Sequence, residues 1–242
     1  MTKERSLGDV PRTVLVVLAV ALVSQIAWQA SRPLAASKAE GLPPAPSHAA
    51  LRASSFGEVT ALAKALMLYL QAFDVQPGIS VPLRNLNYTH VQDWLGRVLD
   101  LDPAGQYPLM AASRLYAEAA KGDKRRQMLE FVHQRFLEDP DRRWPWLAHA
   151  ALIAKHREKD LPMARRYARS IREQAKGPGV PLWARQLEIF ILEDMNELEA
   201  AKYLIGGLLD SGQITDPNEM NFLEQRMGEL EKSSATPPKP VL

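Results

Sequence analysis

From Phe56 onward the apolar residues fall into stretches of helical period, separated by short polar turns. Val59, Leu62, Leu66 and Leu70 share one face of the segment 57–73, for which Ser54 or Ser55 is the expected cap, and Val91, Leu95, Val98 and Leu99 share one in 88–101. The same pattern predicts helices over 107–120, 124–137, 144–156, 161–175, 181–195, 197–210 and 217–232, the last capped by Asp216. Their punctuation is periodic. Proline opens a segment at Pro108, Pro145 and Pro181, a polar turn follows at Gly122-Asp123, Lys159-Asp160 and Asn196-Glu197, and a second segment closes near Pro103, Pro140 and Pro178. Each series advances by 36 to 38 residues. Proline in a first turn forfeits no hydrogen bond, and an acid at the start of a helix meets the positive end of its dipole, so local chemistry and period agree. Two helices per period of this size predict a solenoid in which each unit buries its apolar face only against its neighbours. The expected fold is all-α: a right-handed α-solenoid of about four helical hairpins over 56–232, closed by the C-terminal helix as a cap.

A different pattern precedes it. Thr13 to Ala30 is an uncharged run of 18 residues, preceded by Lys3, Arg5 and Arg12 and carrying Trp28 near its end. As a helix it would span about 27 Å, close to the roughly 30 Å hydrocarbon core of a bilayer. The segment 13–30 therefore reads as a transmembrane helix, with a signal-peptide core as the alternative; small-residue cleavage positions are spoiled by Leu34 and Trp28. The basic residues before the span place segment 1–12 in the cytoplasm and everything after it outside, which for a bacterial chain is the periplasm at the inner membrane. Pro33, Pro43, Pro44 and Pro46 among alanines and serines make 31–55 an expected disordered tether, and 233–242 an expected disordered tail. The connection 74–87, with Pro77-Gly78 and Pro82, is long enough to be either a binding loop or a packed detour.

Composition excludes more than it assigns. There is no cysteine, so disulfides and thiolate chemistry are out, and a formal charge of +2 does not suggest nucleic acid. The five histidines show no HExxH-like spacing, and no GxSxG, P-loop or GxGxxG occurs. Every carboxylate is expected in a turn or on the polar side of a helix, leaving no raised-pKa acid of the kind a lysozyme-like lobe needs. The reading is non-enzymatic, with no catalytic residue, metal or cofactor expected and an enzyme only as a remote alternative.

Leu99-Asp100-Leu101-Asp102-Pro103 resembles the close of a tetratricopeptide repeat, and Gly122-Asp123 resembles its inter-helix turn. Ala164 and Ala201 stand four residues after Asp160 and Glu197, where such repeats pack their helices closely. The resemblance covers roughly 104–211, with a weaker first unit. It departs in a period above the family's 34 residues, in Gln127 where a small residue is expected, and in the long connection of the first unit. It implies a scaffold that binds peptides or proteins along a concave surface, without catalysis or cofactor.

Charge supplies the candidate site. Residues 141–176 carry a net +6 and residues 182–232 a net −7. Arg165, Arg169 and Arg172 recur at i, i+4 and i+7 as one stripe, which would suit an acidic peptide or protein partner, or anionic lipid or glycan by electrostatic docking. Trp144, Trp183 and Tyr107-Pro108 share a phase that suits packing between units. Trp146 breaks phase and is the expected exposed aromatic, so it joins the three arginines as a candidate partner contact. The function expected is a membrane-anchored scaffold or adaptor for protein–protein interaction in a periplasmic or membrane-associated assembly.

Overall fold

The structure, a computed structural model, describes residues 11–31, 40–76, 79–212, 214 and 216–235; the sequence expectations for 1–10, 32–39 and 236–242 lie outside these residues. Helix predominates among the described residues, with strand confined to two two-residue segments. Two compact units are described separately, one built on the N-terminal helix and the other on the remaining helices.

The N-terminal helix α1 spans Arg12–Ser31 and buries none of its residues. Apolar residues surround it on all sides, so it has no amphipathic stripe with which to seat on a core. By length and composition it could cross a membrane.

In the second unit, the segment expected to be a free tether is docked from Gly41 to Ser55. Leu42 is buried, its carbonyl lies 2.6 Å from His90 Nδ1, and the Pro43 carbonyl accepts from Trp94 Nε1 at 2.8 Å. A short helix α2, His48–Ser54, follows, with Ser47 accepting the Ala50 N–H and Leu51 buried. Proline and serine predicted disorder by composition; two leucines and two carbonyls find partners on the helix carrying His90 and Trp94. Ser54 and Ser55 do not cap the next helix. Helix α3 runs Val59–Ala72 with Glu58 at its N-cap, while Ser55 Oγ donates to the Arg52 carbonyl. Its buried face is Ala63, Met67 and Leu70, with Val59, Leu62 and Leu66 flanking it, so the expected face is rotated by part of a turn.

The 74–87 connection is largely structured. Val75–Gln76 and Ile79–Ser80 are short strands, Leu83–Asn85 is a 3-10 turn, and Leu86 is buried. Lys124 Nζ anchors its end by donating to the Arg84 and Leu86 carbonyls at 2.9 and 3.0 Å. Asn87 then caps α4, Tyr88–Leu101, whose Val91, Leu95, Val98 and Leu99 are all buried as the period requires.

The next helical run is composite: α5 (Tyr107–Met110), a π-helical segment (Ala111–Tyr116) and α6 (Ala117–Ala119). The Ala117 N–H reaches the Ala112 carbonyl, five residues back. Arg125 closes the end of this run, donating to the Ala117 and Ala120 carbonyls at 2.9 and 2.6 Å, where cationic charge suits a helix C-terminus. There follow α7 (Asp123–Phe136), α8 (Pro140–His156), α9 (Leu161–Gln174), α10 (Leu182–Asp194), α11 (Leu198–Asp210) and α12 (Pro217–Ala235). Pro140, not Pro145, opens α8. Pro145 lies inside the helix, because Pro140 already supplies a first-turn proline and the Arg142 and Arg143 N–H groups close that turn on Asp139. Residues 233–235, expected in the tail, continue α12, whose N-terminus is held by Asp216 accepting the Asn218 N–H at 2.8 Å.

Consecutive helices pack on each other from α7 to α12, most closely α8 on α9 and α9 on α10. Each of three pairs is joined through a residue of positive φ, although Gly122 departs from the left-handed helical region in ψ, at −133°. Gly122, Lys159 and Asn196 adopt φ of 56°, 55° and 58°, and stand 37 residues apart. Only glycine occupies that conformation freely, so the lysine and asparagine hold it at some cost. The residue after each turn is acidic, although only Asp160 makes a side-chain cap, accepting the Met163 N–H at 2.9 Å. Ala164 and Ala201 are fully buried. Gln127, standing where a small residue was expected, uses its length: its amide donates to Gln92 and Thr89, and Gln92 donates back to its carbonyl at 2.7 Å.

Two hydrophobic clusters result. The larger extends from Leu42 through Ala184 and Ile191, and a smaller one holds Ile189, Leu192, Ala201, Ile205, Ile214, Leu223 and Leu230. A fully wrapped arginine reinforces the larger. Arg143 is 3% exposed and donates to the Arg135 carbonyl, Glu138 and the Pro103 carbonyl, so one side chain on α8 ties the end of α7 to the close of α4.

Candidate functional site

The arginine stripe is built as the sequence predicts, on one side of α9, but it faces inward to a neighbour. Glu188 of α10 is 1% exposed and accepts from all three: Arg165 Nε at 3.4 Å, Arg169 Nε at 3.1 Å and Arg172 Nε at 2.9 Å. This overturns the expectation that every carboxylate lies in a turn or on a polar face. A buried carboxylate needs such partners, since an unpaired charge in the interior would cost several kcal/mol. Arg165 also pairs with Glu197 and Arg172 with Glu173. The signal for Glu188 was present in the sequence: Ala184, Ile191 and Leu192, all buried, stand at −4, +3 and +4 from it on a helix.

Much of the basic-then-acidic asymmetry is consumed in the same way. Lys155 pairs with Asp194 and Arg165 with Glu197 across the two segments, while Arg226 pairs with Glu193 inside the acidic segment and Arg166 with Glu130 ahead of the basic one. Arg125 and Glu158 pair at 2.7 Å in a largely enclosed position. Trp146 is also placed differently from expectation. It is half-buried against the larger cluster, and its indole N–H donates to Gln106 Oε1 at 2.6 Å. Trp144 and Trp183 meet edge to face with centroids 5.3 Å apart; Trp144 is partly covered, and Trp183 is 54% exposed. The structure thus does not bring Trp146 together with the arginines.

Besides a polar hollow of about 460 Å³ between α4 and α7, two concave surfaces stand out among the described residues. The first, of about 460 Å³, lies between α3 and α5 and is lined by Met67, Leu68, Val98, Tyr107 and Pro108. Leu115 on the π-helical segment and Leu152 on α8, 37 residues apart, are both exposed. The second, of about 890 Å³, lies between the end of α9 and α11, with Arg172, Lys176 and Arg185 on one side and Tyr203, Leu204 and Leu208 on the other. Lys176, Arg185 and Tyr203 were missed by sequence reasoning. The stripe drew attention to α9 alone, whereas these residues come from the loop after it and from two further helices.

Burial holds His133 and His149 below the ordinary histidine value, His133 Nε2 standing 2.9 Å from Ser170 Oγ. Burial pushes the Tyr88 and Tyr116 hydroxyls up to about 12, with the Tyr88 hydroxyl donating to the Tyr116 carbonyl. Among the described residues no three His, Asp or Glu side chains converge as a metal site. Compared with protein families, with curated proteins and with solved structures, the chain matches none.

Proposed function

We propose that this chain is a membrane-anchored scaffold: a right-handed, tetratricopeptide-like α-solenoid held at the inner membrane by α1, its N-terminus cytoplasmic and its helical domain periplasmic, acting as an adaptor in a membrane-associated assembly. The observation that carries the reading is the positive-φ residue in the inter-helix turn, at Gly122, Lys159 and Asn196, recurring every 37 residues between helices that pack in sequence order. Side-chain contacts one period apart support it: Gln127 with Gln92, Arg166 with Glu130, and His133 with Ser170. An array of this kind offers extended concave surface rather than an enclosed site, which favours a protein or peptide partner. Docking on anionic membrane or glycan is the weaker alternative, because the three stripe arginines are already engaged by Glu188.

The test has two parts. A reporter fused after the C-terminus should be active only outside the cytoplasm, and a cytoplasmic reporter signal would refute the orientation. Photo-crosslinking residues placed singly at Leu115, Leu152 and Tyr203 in the full chain should yield a discrete adduct from at least one position. Absence of adducts from all three would refute the adaptor role.

A further inference from the structure

The groove between α9 and α11 differs from the arginine stripe in one respect that matters for binding: Arg172 is engaged by Glu188 and Glu173, but its other two cations are not spent. Among the described residues Lys176 has no carboxylate within ion-pair distance. Arg185 has only the Gly177 carbonyl as acceptor, at 3.1 Å from Nη2, while its Nε–H is shielded from solvent with no acceptor. Its Nη1 is accessible and has no acceptor, and a carboxylate entering the groove would pair with it. The only acid lining this groove is Asp210, on the far wall of α11.

The opposite wall is apolar and lacks side chains where a ligand backbone would pass. Leu204 and Leu208 are half-buried, Tyr203 is 82% exposed at the rim, and Gly206-Gly207 lies between them. A Cβ at Gly207 would meet nothing within 4 Å, so this glycine is not required by packing within the chain. In a helix interior it is unfavourable, which calls for another reason to have it there. Open space over Gly207 is that reason if another chain approaches the helix at this point.

We propose that this groove receives an acidic peptide segment of a partner protein, one carboxylate seated on Lys176 and Arg185 and a neighbouring apolar side chain against Leu204 and Leu208. The inference rests on the adaptor reading and gives its partner a chemistry. Concavity and the apolar wall favour a peptide over a lipid surface, which would meet protruding cations on a convex face.

The test uses the full chain in detergent micelles and a short fluorescent peptide alternating glutamate and leucine. Expected is saturable binding that weakens with added salt, is absent for the glutamine–leucine counterpart, and falls about tenfold in Lys176→Gln or Arg185→Gln through loss of a charge-assisted contact. Gly207→Leu should abolish binding while melting no lower than the parent, which separates blockage from unfolding. The inference is overturned by absence of binding, by equal binding to the Lys176→Gln and Gly207→Leu variants, or by full competition from inorganic phosphate. Lys176-dependent sedimentation with anionic vesicles in place of peptide binding would equally overturn it. Adducts from Leu115 or Leu152 but not Tyr203 would remove the groove and leave the adaptor role standing.

Discussion

Replacing Glu188 by glutamine deletes one charge and keeps the shape of the side chain. The three guanidinium contacts lie at 2.9, 3.1 and 3.4 Å. At an effective dielectric of about 20, each contributes roughly 5 kcal/mol of gross Coulomb attraction. Most of this is offset by the cost of holding a carboxylate out of water, several kcal/mol for a buried ion. The loss on substitution is therefore set by the orphaned partners, for which removal of one member of a buried pair costs about 3–5 kcal/mol. Arg165, Arg169 and Arg172 are 25%, 48% and 26% exposed and can turn to water, so the low end applies, about 3 kcal/mol. For a domain of this size that is a fall of about 6–12 °C in Tm. Arg169→Gln should cost under about 1 kcal/mol, because Glu188 retains two partners and the removed side chain is the most exposed of the three. Far-ultraviolet circular dichroism of the full chain in detergent, heated at low and high salt, reads both. Added salt should recover part of the Glu188→Gln loss by screening three like charges on one helix face. Equal melting of the two variants, or a Glu188→Gln loss indifferent to salt, would refute the argument.

Three further outcomes follow from the same geometry. Arg143→Met conserves volume but takes the donor from the Pro103 carbonyl and the buried contact from Glu138, so urea unfolding should show a loss of roughly 2–4 kcal/mol. At the recurrent turn, Gly122 stands at φ 56° and ψ −133°, a region essentially closed to other residues, so Gly122→Ala should destabilise by about 1–3 kcal/mol, whereas Asn196→Gly should be neutral or stabilising by a few tenths, since glycine enters positive φ without strain; opposite signs in a denaturant titration would contradict the assignment. For pH, the folded His133 and His149 lie below their unfolded value because burial disfavours the charged rings. The unfolded chain then takes up these protons first, so stability is complete above about pH 6.5 and is lost as pH falls through the folded values. Melting curves should shift downward on acidification, less so in His133→Asn, and an acid-side midpoint at or above the neutral one would contradict the reading.

Turn chemistry was legible in the sequence because it is local: glycine, lysine-aspartate and asparagine-glutamate each disclose a chain reversal without reference to anything distant. Helix bounds followed to within a few residues for α4, α7, α9, α10 and α11, but not at Pro145, where a second proline five residues before it competes for the same first-turn role. What could not be read was the choice of partner. Arg165, Arg169 and Arg172 announce a basic face, yet whether that face meets solvent or a carboxylate depends on the rotation of α10, fixed by Ala184, Ile191 and Leu192. The same holds for Gly41 to Ser55. Its composition resembles a linker, while the Leu42 and Pro43 carbonyls need only His90 and Trp94 to dock, 48 and 51 residues away. The groove was invisible for a third reason, being assembled from three segments, none of which is unusual alone.

Helix α10 contributes Ala184 and Ile191 to the larger hydrophobic cluster and Ile189 and Leu192 to the smaller, so it is the single wall between two cores of very unequal size. Cooperativity in such a chain has a weak joint. Melting of α11 and α12 exposes only the smaller cluster and leaves the larger one closed, which makes the C-terminal end a separate unit of unfolding with a lower opening energy. Amides in α11 should accordingly exchange with solvent before those in α8 and α9. A ligand held on α11 would work against that opening, and would register as slowed exchange confined to the last two helices, a local signature for occupancy that requires no knowledge of what the ligand is.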